Sequence, residues 1–155
     1  METSYQENYK KQLQRLESAV VKSQKKYIKA SEQIESEEFR NLFHKYSDQR
    51  TTIINELNEA IRHLGGVSEN RTEPEPGIHT SPGTKADIKK DQTVLETLRG
   101  SEQETLDVYD EVLQGSILED FNLKTLLMSH RLTINEAYTD LDKRYFDLFK
   151  LSQPY

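Results

Sequence analysis

QTVLETLRGSEQETLDVYDEVL, residues 92–113, has the apolar spacing of a buried helix. Leu95, Leu98, Leu106, Tyr109 and Leu113 recur at steps of three and four, and Glu102 stands where the seam should continue. A carboxylate on the buried side of a helix needs a partner, because an isolated charge in an apolar interior is too costly to keep. The identity of that partner, and the number of helices around it, follow from the rest of the chain.

Three other stretches carry seams of the same kind. Over residues 5–34, Tyr9, Leu13, Leu16, Val20, Ser23, Tyr27, Ala30 and Ile34 alternate by fours and threes. That heptad spacing predicts packing against partner helices at a shallow angle. A second helix over 37–64 shows Phe39, Phe43, Tyr46, Arg50, Ile53, Leu57, Ala60 and Leu64. It opens on Ser36 as N-cap, with Glu37 and Glu38 in the first turn, and stops at Gly65-Gly66. The quoted stretch sits in a third helix over 85–114, where Gly100 predicts a kink or a close helix contact. A fourth helix over 118–148 carries Leu123, Leu127, His130, Ile134, Tyr138, Leu141, Tyr145 and Leu148, and the end of the chain is expected to fray.

Between the second and third helices lies the linker 67–83, which holds three of the chain's four prolines. Its length suits a run along the whole bundle better than a tight hairpin. The expectation is therefore one all-α domain over 1–155: a ferritin-like four-helix bundle with a long crossover between helices two and three.

Each helix has one polar residue on its seam: Ser23, Arg50, Glu102 and His130. All four are expected near mid-helix and so at one level of the bundle. The predicted arrangement is an Arg50–Glu102 ion pair, with His130 and Ser23 closing the network.

Composition excludes several chemistries. The chain has no cysteine, so disulfides, thiolate metal sites and thiol nucleophiles are absent. Its net charge of −6 and pI near 5.3 argue against nucleic acid as a general partner. There is no glycine-rich phosphate loop and no strand–turn–helix setting for a hydrolytic nucleophile. A di-iron carboxylate site would require Glu-x-x-His, but the residues three before His44, His63, His79 and His130 are Asn41, Ala60, Gly77 and Leu127. Arg50 would also bring a fixed positive charge to such a site. Glu102 and His130 are the candidates for an ion, and no residue is a candidate for catalysis or cofactor binding. His44 and His63 are expected at wet faces, and the seam tyrosines in the core with their hydroxyls partnered.

The first helix is basic (Lys10, Lys11, Arg15, Lys22, Lys25, Lys26, Lys29) and the third acidic (Glu96, Glu102, Glu104, Asp107, Asp110, Glu111). This predicts complementary faces within one bundle, and alternatively a basic docking face for an anionic partner or membrane surface. METSYQENYKK at the N-terminus lacks an apolar signal core, and no apolar run nears the ~20 residues of a membrane span. A soluble cytoplasmic protein is expected.

From about Tyr9 to Tyr145 the chain resembles a bacterial family of ferritin-like four-helix-bundle proteins classed as domain of unknown function 2383. The resemblance rests on Tyr27 with Ala30, on Gln49-Arg50 followed by Glu56-Leu57, Ile61 and Leu64-Gly65-Gly66, and on Glu102 with Tyr109 seven residues later. Ser101 stands where the family usually has glycine, with Gly100 one place earlier. Tyr138 stands where members often have histidine, and the tryptophan common in the family's linker is missing. The resemblance implies the fold and no reaction. The expected role is a non-enzymatic structural or interaction protein, stress-associated and self-associating as an antiparallel homodimer through Tyr145, Phe146, Leu148 and Phe149. The alternative is a degenerate ferritin-like carboxylate protein that binds iron or a similar divalent ion in the bundle.

Overall fold

The computed structural model describes residues 4–66 and 88–152. They form four long helices: α1 (Ser4–Gln33), α2 (Glu37–His63), α3 (Ile88–Leu113) and α4 (Phe121–Ser152), with a 3₁₀ turn (Ser116–Glu119) before α4. The described residues contain no strand, and the chain is an all-α four-helix bundle. The linker 67–83, the expected helical start at 85 and His79 lie outside the described residues.

The boundaries follow from capping chemistry. Ser36 accepts a hydrogen bond from the Phe39 N–H at 3.3 Å and opens α2. At its other end Gly65 takes φ 81°, the left-handed conformation that an L side chain resists. Gly66 N–H then donates to the Ile61 carbonyl and Gly65 N–H to that of Arg62, both at 2.9 Å, which closes the last turn. A Cβ on Gly66 would lie 2.8 Å from Ile61 Cγ2, so this residue must also be small.

The fourth helix departs from expectation at both ends. It begins at Phe121 rather than 118 and runs to Ser152 rather than 148. Asp120 sets the start: its Oδ1 accepts from the Leu123 N–H at 3.0 Å. Of the two expectations for Gly100 the close helix contact is not met, since nothing lies within 4 Å of where its Cβ would be.

All eight residues of the first seam are buried, with Leu13, Leu16 and Val20 fully so. The core divides into two apolar blocks. One joins Leu13, Leu16 and Val20 to Ile54, Leu57 and Ile61 of α2, to Leu106 and Tyr109 of α3, and to Leu127 and Ile134 of α4. The other joins Tyr27, Ala30 and Ile34 to Phe43 and Tyr46, to Leu95 and Leu98, and to Ala137 and Leu141. The C-terminal halves of α2 and α3 share the first block, so these helices run in the same direction. The path of the segment between them, and with it the expected crossover, lies outside the described residues. Helix α1 packs along α2 and on α3, and α3 packs along α4. The two blocks part where polar side chains enter the interior.

Candidate functional site

Where the blocks part, α1 contributes Ser23, α2 Arg50 and α3 Glu102, each at most 1% exposed. Arg50 Nη2 donates to Glu102 Oε2, an ion pair with both side chains fully buried. Ser23 Oγ donates to Glu102 Oε1 at 2.5 Å, so both carboxylate oxygens are engaged. Arg50 Nε and Nη1 are buried without a hydrogen-bond partner. The Tyr27 ring takes their place, with its centroid 5.6 Å from the guanidinium carbon, close enough for a cation–π attraction. The Tyr27 hydroxyl meets no partner at good hydrogen-bond geometry. Burial first, and the Glu102 carboxylate second, raise its pKa well above the usual tyrosine value, so it stays neutral.

The expected layer is thus present for Ser23, Arg50 and Glu102. His130 is the correction. It is buried, at 3% exposure, but it does not join the Arg50–Glu102 pair. On α4 the two apolar blocks part between Ile134 and Ala137, so His130 lies about 8 Å along the axis from that level at ~1.5 Å per residue. The expected mid-helix position assumed a helix over 118–148, whereas α4 begins and ends further along the chain.

His130 forms a second polar chain instead. Its Nδ1 lies 3.1 Å from the Tyr109 hydroxyl and its Nε2 lies 3.3 Å from Glu56 Oε1. The directions are fixed by what each end can do. A carboxylate only accepts, so Nε2 carries the proton. Nδ1 then accepts from Tyr109. Burial raises the Tyr109 pKa, against the nearby Arg50, and keeps that hydroxyl protonated. Burial also lowers the pKa of His130, with Glu56 opposing. The chain runs from a buried phenol to a half-exposed carboxylate and stores one neutral imidazole between them. Glu56 was not among the expected members of the polar layer; the available signals were its position beside the seam residue Leu57 and its place in the pattern that carries the family resemblance.

Glu102 and His130, the expected candidates for an ion, therefore have separate partners within the chain. Among the described residues, no three His, Asp or Glu side chains are grouped to hold a metal.

The charged faces meet as expected in part. Arg15 pairs with Glu111, and Lys22 with Glu104 at 3.7 Å, linking basic α1 to acidic α3. Asp110 holds Arg131 through two hydrogen bonds, of 2.5 and 3.2 Å, between α3 and α4. Arg144 reaches Glu38 at 3.1 Å and Asp140 at 3.0 Å, and Tyr46 donates to Asp140, which ties α2 to α4. His44 and His63 are exposed, as expected.

One feature has no counterpart inside the chain. Helix α4 is apolar on two sides. Leu127, Ile134 and Leu141 face the core. On the opposite side Phe121 is 75% exposed, Leu132 60%, Met128 52% and Phe146 47%. With Thr125, Asn135, Thr139 and Asp142 these positions form a second series of fours and threes along the same helix, apolar at four of its eight members. No described helix is long and apolar enough to cross a membrane.

No curated protein and no solved structure matches the chain. A family model described as Domain of unknown function (DUF2383) matches residues 8–115, which takes in most of α1 and all of α2 and α3 and leaves α4 outside the match. That match spans well over half of the sequence, and the chain belongs to the DUF2383 family.

Proposed function

We propose that this is a non-enzymatic helical-bundle protein that acts through its surface, with the outer face of α4 as the binding face. The observation that carries the reading is the group of exposed apolar side chains Phe121, Met128, Leu132 and Phe146 on the outer side of α4. Single exposed apolar residues need no explanation, but four large ones sharing one side of one helix mark an interaction site. The interior supports the same reading from the other side. Its ionisable groups are engaged with one another, as Arg50 with Glu102 and His130 with Glu56. Net charge −6 sets the surface against polyanions.

The chain's lack of cysteine supplies the test. A Leu132→Cys variant, expressed at native level in its own host, is labelled with a membrane-permeant maleimide and compared with the dilute purified chain. Protection in the cell is the expected result. Equal reactivity in both settings would overturn the reading.

A further inference from the structure

We propose that Tyr109 is a one-electron oxidation site: a buried phenol that gives up an electron to an oxidant in solution while its proton passes to His130. The site is the polar chain Tyr109–His130–Glu56 and is separate from the outer face of α4.

Three observations lead to it. The first is access. Tyr109 is fully buried, so no bound molecule can touch its hydroxyl. Acid–base work on a substrate is closed to it. Loss of an electron needs no such contact. The interior of a four-helix bundle lies within about one helix diameter, ~11 Å, of solvent, and an electron crosses that distance through packed protein.

The second observation is the proton. A phenol that loses an electron becomes a strong acid. The loss is far easier when a base within hydrogen-bond reach takes the proton in the same step. His130 is that base, with Nδ1 3.1 Å from the hydroxyl and accepting from it. Burial keeps this imidazole neutral and so able to take a proton. The imidazolium that results faces Glu56, whose Oε1 lies 3.3 Å from Nε2 and whose side chain is half-exposed. The positive charge therefore has a partner, and the proton has a way to solvent. Arg50, the other charge near this hydroxyl, is already neutralised by Glu102.

The third is competition. The chain has eight tyrosines and neither cysteine nor tryptophan, so an electron vacancy placed on it settles on a tyrosine. Tyr46 also donates to a base, Asp140. Arg144 holds that carboxylate at 3.0 Å and weakens its hold on a proton. The Tyr27 hydroxyl meets no acceptor at good geometry. Tyr109 has an unencumbered base, and its burial keeps the radical from coupling with that of another chain.

In the step itself the Tyr109 O–H bond breaks and an N–H bond forms at His130 Nδ1. The electron reduces a diffusing one-electron oxidant of the carbonate-radical class, which leaves as carbonate. A neutral phenoxyl remains beside an imidazolium–carboxylate pair. An external one-electron donor returns the electron, and the proton runs back to the oxygen.

Flash photolysis of the purified full chain with tris(bipyridine)ruthenium and persulfate tests this. Ruthenium(III) is then the oxidant, and the phenoxyl is read by absorption and by electron paramagnetic resonance. The expected signal is a tyrosyl radical that outlives that of free tyrosine at least tenfold and forms more slowly in heavy water. Tyr109→Phe abolishes it, and Tyr46→Phe leaves it. His130→Gln keeps an acceptor for the hydroxyl but no base, and lowers the yield at least tenfold while far-UV circular dichroism is unchanged. Glu56→Gln, at a half-exposed position, shortens the lifetime and serves as the test should His130→Gln fail to fold. A parent chain without a long-lived tyrosyl signal overturns the proposal. So does a signal that survives Tyr109→Phe, that Tyr46→Phe removes, or that both His130→Gln and Glu56→Gln leave at full yield and lifetime.

Discussion

Replacing Arg50, Glu102 or both with methionine separates the cost of a buried charge from the value of a buried ion pair. Both side chains are fully buried, and Glu102 has its second oxygen on Ser23. Arg50→Met leaves a carboxylate that retains the Ser23 hydrogen bond and can take up a proton. Glu102→Met leaves a guanidinium that cannot lose its charge and has only the Tyr27 ring beside it. Breaking such a pair from one side costs about 3–5 kcal/mol. Glu102→Met should lie near the top of that range and Arg50→Met near the bottom. In a chain of this size each kcal/mol moves Tm by about 2–4 °C, so the single variants should melt roughly 6–20 °C lower. The double variant removes both charges and fills the space with apolar atoms, and it should return to within about 1–2 kcal/mol of the parent or exceed it. Urea unfolding followed by circular dichroism gives the coupling energy as a double-mutant cycle. If either single variant costs under about 1 kcal/mol, or if the double loses the sum of the singles, Arg50 and Glu102 are not a buried, mutually dependent pair.

The second polar chain makes a pH prediction. His130 titrates lower in the fold than in the unfolded chain, because burial outweighs Glu56. Its contribution to stability is therefore complete above about pH 6.5 and declines as pH falls below that value. Urea midpoints should fall more steeply between pH 6.5 and 5 for the parent than for His130→Gln, and equal slopes would refute the assignment. Asp120→Ala removes the acceptor for the Leu123 N–H and should cost about 1 kcal/mol by thermal melting, with α4 fraying at its start. Gly65→Ala, at φ 81°, should cost about 1 kcal/mol. Gly100→Ala should instead gain about that amount, since it is an exposed mid-helix position with open space at Cβ, and a loss there would mean α3 needs the glycine for another reason.

Much of this architecture was legible in the sequence because long amphipathic helices announce themselves by period. The α1 seam is buried at every position read, and Ser36 and Gly65-Gly66 bound α2 as their chemistry requires. The Arg50–Glu102–Ser23 cluster was also legible, since three helices of similar length bring their midpoints to one level. His130 was placed with them for the same reason and falls elsewhere, because the level of a residue depends on where its helix starts. The signal for that start was Asp120 three residues before Leu123, a capping pattern hidden beside the apolar pair Ile117 and Leu118. The outer seam of α4 was harder to see. Polar residues interrupt it at Thr125, Asn135, Thr139 and Asp142, and the stronger seam through Leu127, Ile134 and Leu141 already accounted for the helix. The exposure of Phe121, Met128, Leu132 and Phe146 separates the two faces.

The parting of the core by a charged pair has a mechanical consequence. Parallel rods with repeating leucines can slide past each other by one pitch, about 5.4 Å, and still find oil against oil. Here such a slip would carry the Glu102 carboxylate off its guanidinium and towards the apolar surroundings of Tyr46 or Ile53 on α2. The pair thus acts as a detent, leaving a single axial alignment for α2 and α3, two rods that run the same way.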